Sequence, residues 1–309
     1  MKIVKPSLLK KGDTIGIIAP ASPPELKKIH YAKTFYEKKG LKVKLAPSVG
    51  KRNGYLGGSD QERIADLEFM FKDQTIKGIF CACGGYGTPR IVDQIDYQLI
   101  KENPKIFWGY SDITCLHTAI FQRTGLITFH GPMLSSDLAV DELDAVTING
   151  LNQVFAKTEI MINQSTQPLH TLMQGTANGP IVGGNLTLLT SLLGTPYEID
   201  TNGSLLFIEE IEEEPYRIDR MLNQLRLAGK LDQAAGFVIG HFNQCEPKTP
   251  AKSLTLEQVI QRYLVIEGKP SVSGFQIGHC LPVKSIPLGA RATLDADCKR
   301  LMIESGVKE

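Results

Sequence analysis

Long hydrophobic runs are missing from this chain of 309 residues. Their absence excludes a bundle of membrane-spanning helices, since one crossing takes about 20 consecutive apolar residues. The opening MKIVKPSLLKKGD has basic residues but no apolar core of a secretory signal, so a cytoplasmic protein is expected. Charge of one sign is missing too: 34 Lys and Arg stand against 33 Asp and Glu, a net +1. Nothing here advertises nucleic acid, a membrane surface or a polyanion, and a small, nearly neutral partner is more natural. Cysteine is sparse, with six residues in all. The only close pair, Cys81 and Cys83, has one residue between, which suits neither a zinc knuckle nor a CxxC redox motif. The cysteines therefore read as reduced thiols, mostly packing.

The chain is long enough for two domains of ordinary size. In the first half, short apolar segments (DTIGIIAP, LKVKLAP, IKGIFCAC, PKIFWGY, LITFHGP) alternate with helical patterns. One of these, SDQERIADLEFMF, opens with Ser59 and Glu62 in capping-box spacing. That alternation predicts an α/β fold: a parallel sheet covered by helices on both faces, with ligands gathering at the carboxyl ends of its strands. The loops to inspect are then PASPP, GGYGTPR, YSD and HGPM. Residues 1–155 are expected to form this domain, the polar stretch 156–178 a linker, and 179–309 a mixed α/β domain richer in strands.

Four places carry polar residues where chemistry is plausible. Ser111 stands between the strand-like PKIFWGY and the amphipathic DITCLHTAIFQRTG; it can cap that helix or act as a nucleophile on a tight strand-to-helix turn. GGYG (84–87) follows a strand, and its N–H groups can face an anion, although it has neither GxGxxG order nor a Walker lysine. In LLFIEEIEEEPYRIDR, Glu209 and Glu210 point to opposite faces of a strand, so one projects inward, while Glu212, Glu213 and Glu214 read as a solvated acidic run. His279 is read at a strand end in GFQIGHCLP. Of the other histidines, His30 and His170 read as surface residues and His117 as core; His130 and His241 follow strands and remain rivals.

Serine, carboxylate and histidine together make nucleophilic catalysis sensible, because a hydroxyl attacks well only when an oriented imidazole takes its proton. The α/β-hydrolase elbow G-x-S-x-G is not met, since Ile113 replaces the final glycine in Gly109-Tyr110-Ser111-Asp112-Ile113.

Several stretches, GYSDIT (109–114), GGYG (84–87), GYLGGSDQERIADL (54–67), GPIVGGNLTLL (179–189), LLFIEEIEEEPYRIDR (205–220), GFQIGH (274–279) and PLGARATLDAD (287–297), together resemble the LD-carboxypeptidases. This serine-peptidase family includes the muramoyl-tetrapeptide carboxypeptidases and the microcin C self-immunity proteins. The resemblance implies Ser111 as nucleophile, His279 as general base and Glu209 as its orienter, with the amides of Asp112 and Gly85 as the oxyanion hole. Glu210 stands where the family often has Asp. It further implies release of the terminal D-Ala from a murein tetrapeptide in cell-wall recycling, no metal or cofactor, a small muropeptide as partner, and a homodimer. The free carboxylate of such a substrate needs a cationic or backbone partner, for which Arg90, Arg217 and Arg291 are the candidates near these loops.

Three other readings stay open. A self-immunity peptidase would cleave an aminoacyl or peptidyl adenylate analogue and need an aromatic surface for adenine, but the only tryptophan is Trp108 and residues 157–179 hold no Phe, Tyr or Trp. A two-lobed binding protein without catalysis would use similar glycine loops. A hydrolase built on Cys115 or Cys81 is the third.

Overall fold

A computed structural model describes residues 2–140 and 142–309. Among the described residues, fourteen strands follow in chain order. The first five are β1 (Thr14–Ile18), β2 (Lys42–Leu45), β3 (Ile76–Cys81), β4 (Ile106–Gly109) and β5 (Thr128–His130). Next come β6 (Ile160–Asn163), β7 (His170–Met173), β8 (Thr176–Asn185), β9 (Leu205–Ile211) and β10 (Gly236–Asn243). The last are β11 (Ser271–Ser273), β12 (Ile286–Leu288), β13 (Arg291–Asp295) and β14 (Arg300–Ile303). They form two sheets, ordered β12-β5-β4-β3-β1-β2 and β6-β14-β13-β8-β9-β10-β11-β7. The β1 to β5 ladder is parallel throughout, and β12 joins its edge antiparallel. In the second sheet β8, β9, β10 and β11 run parallel and the outer strands antiparallel. The two-domain α/β architecture with one parallel-rich and one mixed sheet is thus as expected.

Helices α1 (Leu26–Lys38), α2 (Asp60–Lys72), α3 (Tyr97–Glu102) and α4 (Thr114–Thr124) connect the first set, and α5 (Ala145–Gly150), α6 (Leu186–Ser191) and α7 (Pro215–Leu227) follow. The capping box of α2 is formed: Ser59 Oγ accepts from the Glu62 N–H, and Glu62 Oε2 accepts from the Ser59 N–H. Leu67, Met70 and Phe71 of α2 and Leu116 and Ile120 of α4 cover one face of the first sheet against Ile79 and Phe107. Its other face shares one core with the second sheet, in which Ile17, Trp108 and Phe129 belong with Phe207, Phe275 and Leu294. Each such buried side chain contributes about 1.5–3 kcal/mol. Among the described residues no helix is long and apolar enough to cross a membrane.

The stretch 156–178, expected as a linker, is folded. It supplies β6 and β7, which lie at the two opposite edges of the second sheet, and the start of β8. Edge strands present one row of backbone and partly open faces to water, so polar residues such as Asn163, His170 and Thr171 disguise them as a connector. Conversely, β12 returns from the far end of the sequence to complete the first sheet. His279 also differs from expectation, lying in a loop six residues beyond β11 rather than at a strand end.

Candidate active site

Ser111 occupies the joint anticipated for it. After β4 the chain turns sharply, and Ser111 adopts φ +65°, a left-handed conformation that a non-glycine residue holds only when its surroundings enforce it. It opens a short 3₁₀ turn, Ser111–Ile113, that leads into α4. Ile113, where a hydrolase elbow has glycine, is fully buried beside Ile79 and Leu116.

The strand alternation of β9 brings the carboxylate. Leu205 and Phe207 face the shared core while Leu206 and Ile208 face the opposite helix layer, so Glu209 falls on the face toward the first domain. Glu209 Oε2 accepts from His279 Nδ1 at 2.7 Å and from the His279 backbone N–H at 3.3 Å. On the far side of the ring, Ser111 Oγ lies 3.0 Å from Nε2. With the Nδ1 proton engaged by Glu209, Nε2 carries the lone pair that accepts from the Ser111 hydroxyl. Glu210, on the other face, accepts from Asn185 Nδ2 (2.7 Å), the Thr187 N–H and hydroxyl (2.8 Å each) and the Ile211 N–H (2.9 Å). The two adjacent glutamates are therefore divided between imidazole and α6.

Burial is the largest influence on His279 and lowers its pKa. The hydrogen bond and charge of Glu209, with the charges of Asp137 and Glu210, outweigh it, and the pKa ends above the usual histidine value. Asp137 reaches the ring through Tyr110, whose hydroxyl donates to Asp137 Oδ1 at 2.8 Å and whose ring centroid lies 4.8 Å from that of His279. The carboxylate also accepts from the Met133 N–H (2.7 Å) and the Ser136 hydroxyl (2.8 Å), and burial holds its pKa above the ordinary Asp value. Of the rival histidines, His130 is fully buried and held neutral by that burial, and His241 is exposed at the β10 irregularity. His117 is core, bonded to the Gly109 carbonyl at 2.8 Å.

The glycine loop lies directly on Ser111. Gly85 has φ +102°, and a Cβ there would collide with Ser22 Oγ at 2.2 Å, so only glycine fits. Ser22 from the PASPP loop donates its N–H to the Gly84 carbonyl and accepts the Tyr86 N–H. Among the described residues the Gly85 N–H has no partner within the chain. The Asp112 N–H stands in the first turn of the 3₁₀ segment, where a helix has no internal acceptor for it. Thr88 ties the two loops together, its N–H donating to Asp112 Oδ2 (2.8 Å) and its hydroxyl to the Asp112 carbonyl (2.6 Å). Burial pushes the Asp112 carboxyl up to about 6.

Arg63, buried in α2, donates to the carbonyls of Pro20 and Gly87 and to Asp60 Oδ1 at 2.6 Å, so one guanidinium holds both the PASPP and GGYG loops. Sequence reading passed over it, yet a signal existed: Arg63 shares the apolar stripe of Leu67 and Met70 at spacings of four and three. Asp137 carried no such signal. The cleft in front of Ser111 is bounded by Ser22, Glu25, Lys28, Met133 and Ser136. Arg90, Arg217 and Arg291 do not line it. Arg90 grips Asp60 (3.2 and 2.8 Å), Arg217 bonds Tyr216 and Glu213, and Arg291 lines a separate groove with Glu159 and Glu304. Cys81 and Cys115 are fully buried, and burial pushes the Cys115 thiol up to about 12 and that of Cys81 well above its ordinary value. No three His, Cys, Asp or Glu side chains converge as a metal site among the described residues.

Residues 15–131 match the LD-carboxypeptidase N-terminal domain and residues 178–294 the LD-carboxypeptidase C-terminal domain. A probable murein peptide carboxypeptidase of Bacillus subtilis is 54% identical over 305 residues, 99% of this chain and 96% of that protein. The structure of a muramoyltetrapeptide carboxypeptidase from Oxalobacter formigenes superposes with a TM-score of 0.85 at 28% identity, covering 96% of this chain and 100% of the other. The microcin C7 self-immunity protein MccF gives a TM-score of 0.89 at 25% identity, covering 97% of this chain and 98% of the other. With both family domains matched in order and more than half the residues shared with a full-length relative, the chain belongs to the LD-carboxypeptidase family of peptidases.

Proposed function

We propose that this protein is a serine LD-carboxypeptidase that releases the terminal D-Ala from murein tetrapeptides. The observation that carries the reading is the unbroken Ser111, His279, Glu209 hydrogen-bond chain at the floor of an open cleft. In the first half-reaction Ser111 Oγ attacks the carbonyl at the L-centre of the diamino acid while His279 Nε2 takes its proton. Glu209 holds the ring by Nδ1 and balances the charge that forms there. The negative oxygen of the tetrahedral intermediate is received by the amides of Gly85 and Asp112. Collapse expels the D-Ala amine, to which His279 returns the proton, and leaves an ester on Ser111. Water, deprotonated by the same imidazole, then attacks the ester and frees the shortened peptide.

Muropeptide as substrate is supported by the names of the B. subtilis and O. formigenes relatives. The reading includes a role in cell-wall recycling, a cytoplasmic location where soluble fragments would be met, and a homodimer, each resting on the family resemblance. Cleavage of an aminoacyl adenylate analogue is less well supported. Trp108 is buried, its indole N–H bonded to the Pro132 carbonyl at 2.9 Å, and offers no face to an adenine. The test is to offer purified enzyme an L-Ala-D-Glu-meso-diaminopimelate-D-Ala peptide and an aminoacyl sulfamoyl adenosine in parallel. Turnover of the peptide alone is expected; turnover of the adenosine compound alone would overturn the reading.

A further inference from the structure

A carboxypeptidase cuts one residue from the end of its substrate, so the free carboxylate sits about 3.3–3.6 Å of chain per residue beyond the carbonyl under attack. Such a carboxylate stays inside the cleft that holds Ser111, and there it needs a cation or donors to replace its water. Among the described residues lining that cleft, one carries an ammonium or guanidinium: Lys28. The three arginines that could have served are engaged or placed elsewhere. Resting on the carboxypeptidase reading above, we propose that Lys28 recognises the terminal carboxylate of the substrate.

The position of Lys28 follows from the fold. Pro23 and Pro24 carry the chain from the β1 loop into α1, and Glu25 and Lys28 stand one turn apart on the cleft side of that helix. Their side chains are paired, Lys28 Nζ lying 2.9 Å from Glu25 Oε1. Glu25 makes no side-chain cap bond to its own helix, and its backbone N–H reaches Ser135 Oγ at 3.4 Å, so this corner is tied to the opposite wall of the cleft. The ammonium is thus already aimed at a carboxylate. The pair is exposed, at 45% and 69% of side-chain area, and a screened surface pair is weak enough to be exchanged. A substrate carboxylate takes the place of Glu25 on Lys28, and a peptide ending in an amide cannot. Lysine suits a short terminal residue because its point charge and three rotating donors impose no planar fork.

The experiment compares kcat and KM for the free-acid tetrapeptide and for the same peptide with a C-terminal amide, using wild type, Lys28→Met, Lys28→Arg and Glu25→Gln. Wild type is expected to prefer the acid about 10- to 100-fold in kcat/KM, the worth of one charge-assisted hydrogen bond. Lys28→Met brings the acid-to-amide ratio near one, chiefly through KM, while Lys28→Arg keeps most of the preference and Glu25→Gln lowers KM for the acid. An acid-to-amide ratio in Lys28→Met equal to that of wild type overturns the proposal, as does a wild-type ratio near one. Release from neither peptide by wild type overturns the carboxypeptidase reading itself and the role of Lys28 with it.

Discussion

Gly84 lies so close to Ser111 that a Cβ added to it would stand 2.8 Å from the serine Cβ and 3.0 Å from Oγ. The glycine loop and Ser111 are therefore in backbone-to-side-chain contact, with no room for a methyl group. Gly84→Ala should lower kcat by about 100-fold, the scale of effect when reacting groups are displaced by about an ångström. Kinetics with a thermal melt separate this from unfolding: a folded variant with near wild-type kcat would show that the loop does not bear on the hydroxyl.

The pH dependence follows from His279. In the proposed mechanism the imidazole must be neutral to accept the Ser111 proton, and its pKa is raised, burial lowering it but Glu209 and the more distant Asp137 and Glu210 raising it by more. Activity should thus rise with pH along an acid limb above the ordinary histidine value of about 6.5. Removing a carboxylate that favours the imidazolium moves this limb down. Asp137→Asn should shift it to lower pH, and Tyr110→Phe should lower kcat by loosening the ring while leaving the limb nearer its original place. A kcat/KM profile unchanged by Asp137→Asn would refute the electrostatic part.

Glu209 and Glu210 are neighbours with different partners, His279 for one and Asn185 and Thr187 for the other. Glu209→Gln should cost about 10³- to 10⁴-fold in kcat, because an amide neither fixes the Nδ1–H tautomer nor balances the imidazolium. Glu210→Ala leaves Asn185 and the Thr187 N–H without their buried acceptor and should cost about 1–3 kcal/mol of stability per stranded group. Denaturant unfolding and turnover, measured on both variants, should dissociate; the reverse pattern would mean the roles are exchanged.

The thiols should be dispensable. Cys81 and Cys115 are buried, and the Cys83 thiol in the cleft is pushed up to about 12 by burial, so reactive thiolate is scarce near neutral pH. Cys81→Ala and Cys115→Ala should retain turnover, and brief iodoacetamide treatment should not stop it. Loss of turnover in Cys81→Ala or Cys115→Ala, together with complete inactivation of wild type by iodoacetamide, would reinstate a cysteine nucleophile.

Much of this was legible in the sequence because strand and helix periods were clean where burial is two-sided. The parallel strands from Thr14 to His130 read as short apolar runs, and Ser111 stood out as a polar break between one of them and a helix. Alternation along LLFIEEI separated Glu209 from Glu210, since a period of two assigns opposite faces without knowing the neighbours, and the resemblance to the family chose between them. The return of β12 to the first sheet was not legible, because three residues of edge strand carry no period. Nor were the edge strands β6 and β7, whose half-solvated faces imitate a loop. Asp137 beside Tyr110 and Lys28 at the cleft owe their places to what the fold brings near them, and local sequence holds no record of that.

The most direct measurement is incubation of purified wild type and Ser111→Ala with the L-Ala-D-Glu-meso-diaminopimelate-D-Ala tetrapeptide, following D-Ala by mass. The account predicts release by wild type and a loss of at least about 10⁴-fold in the variant, as when a catalytic serine is removed elsewhere. Release at comparable rates by both proteins would contradict it, because the hydroxyl 3.0 Å from His279 would then not be the nucleophile.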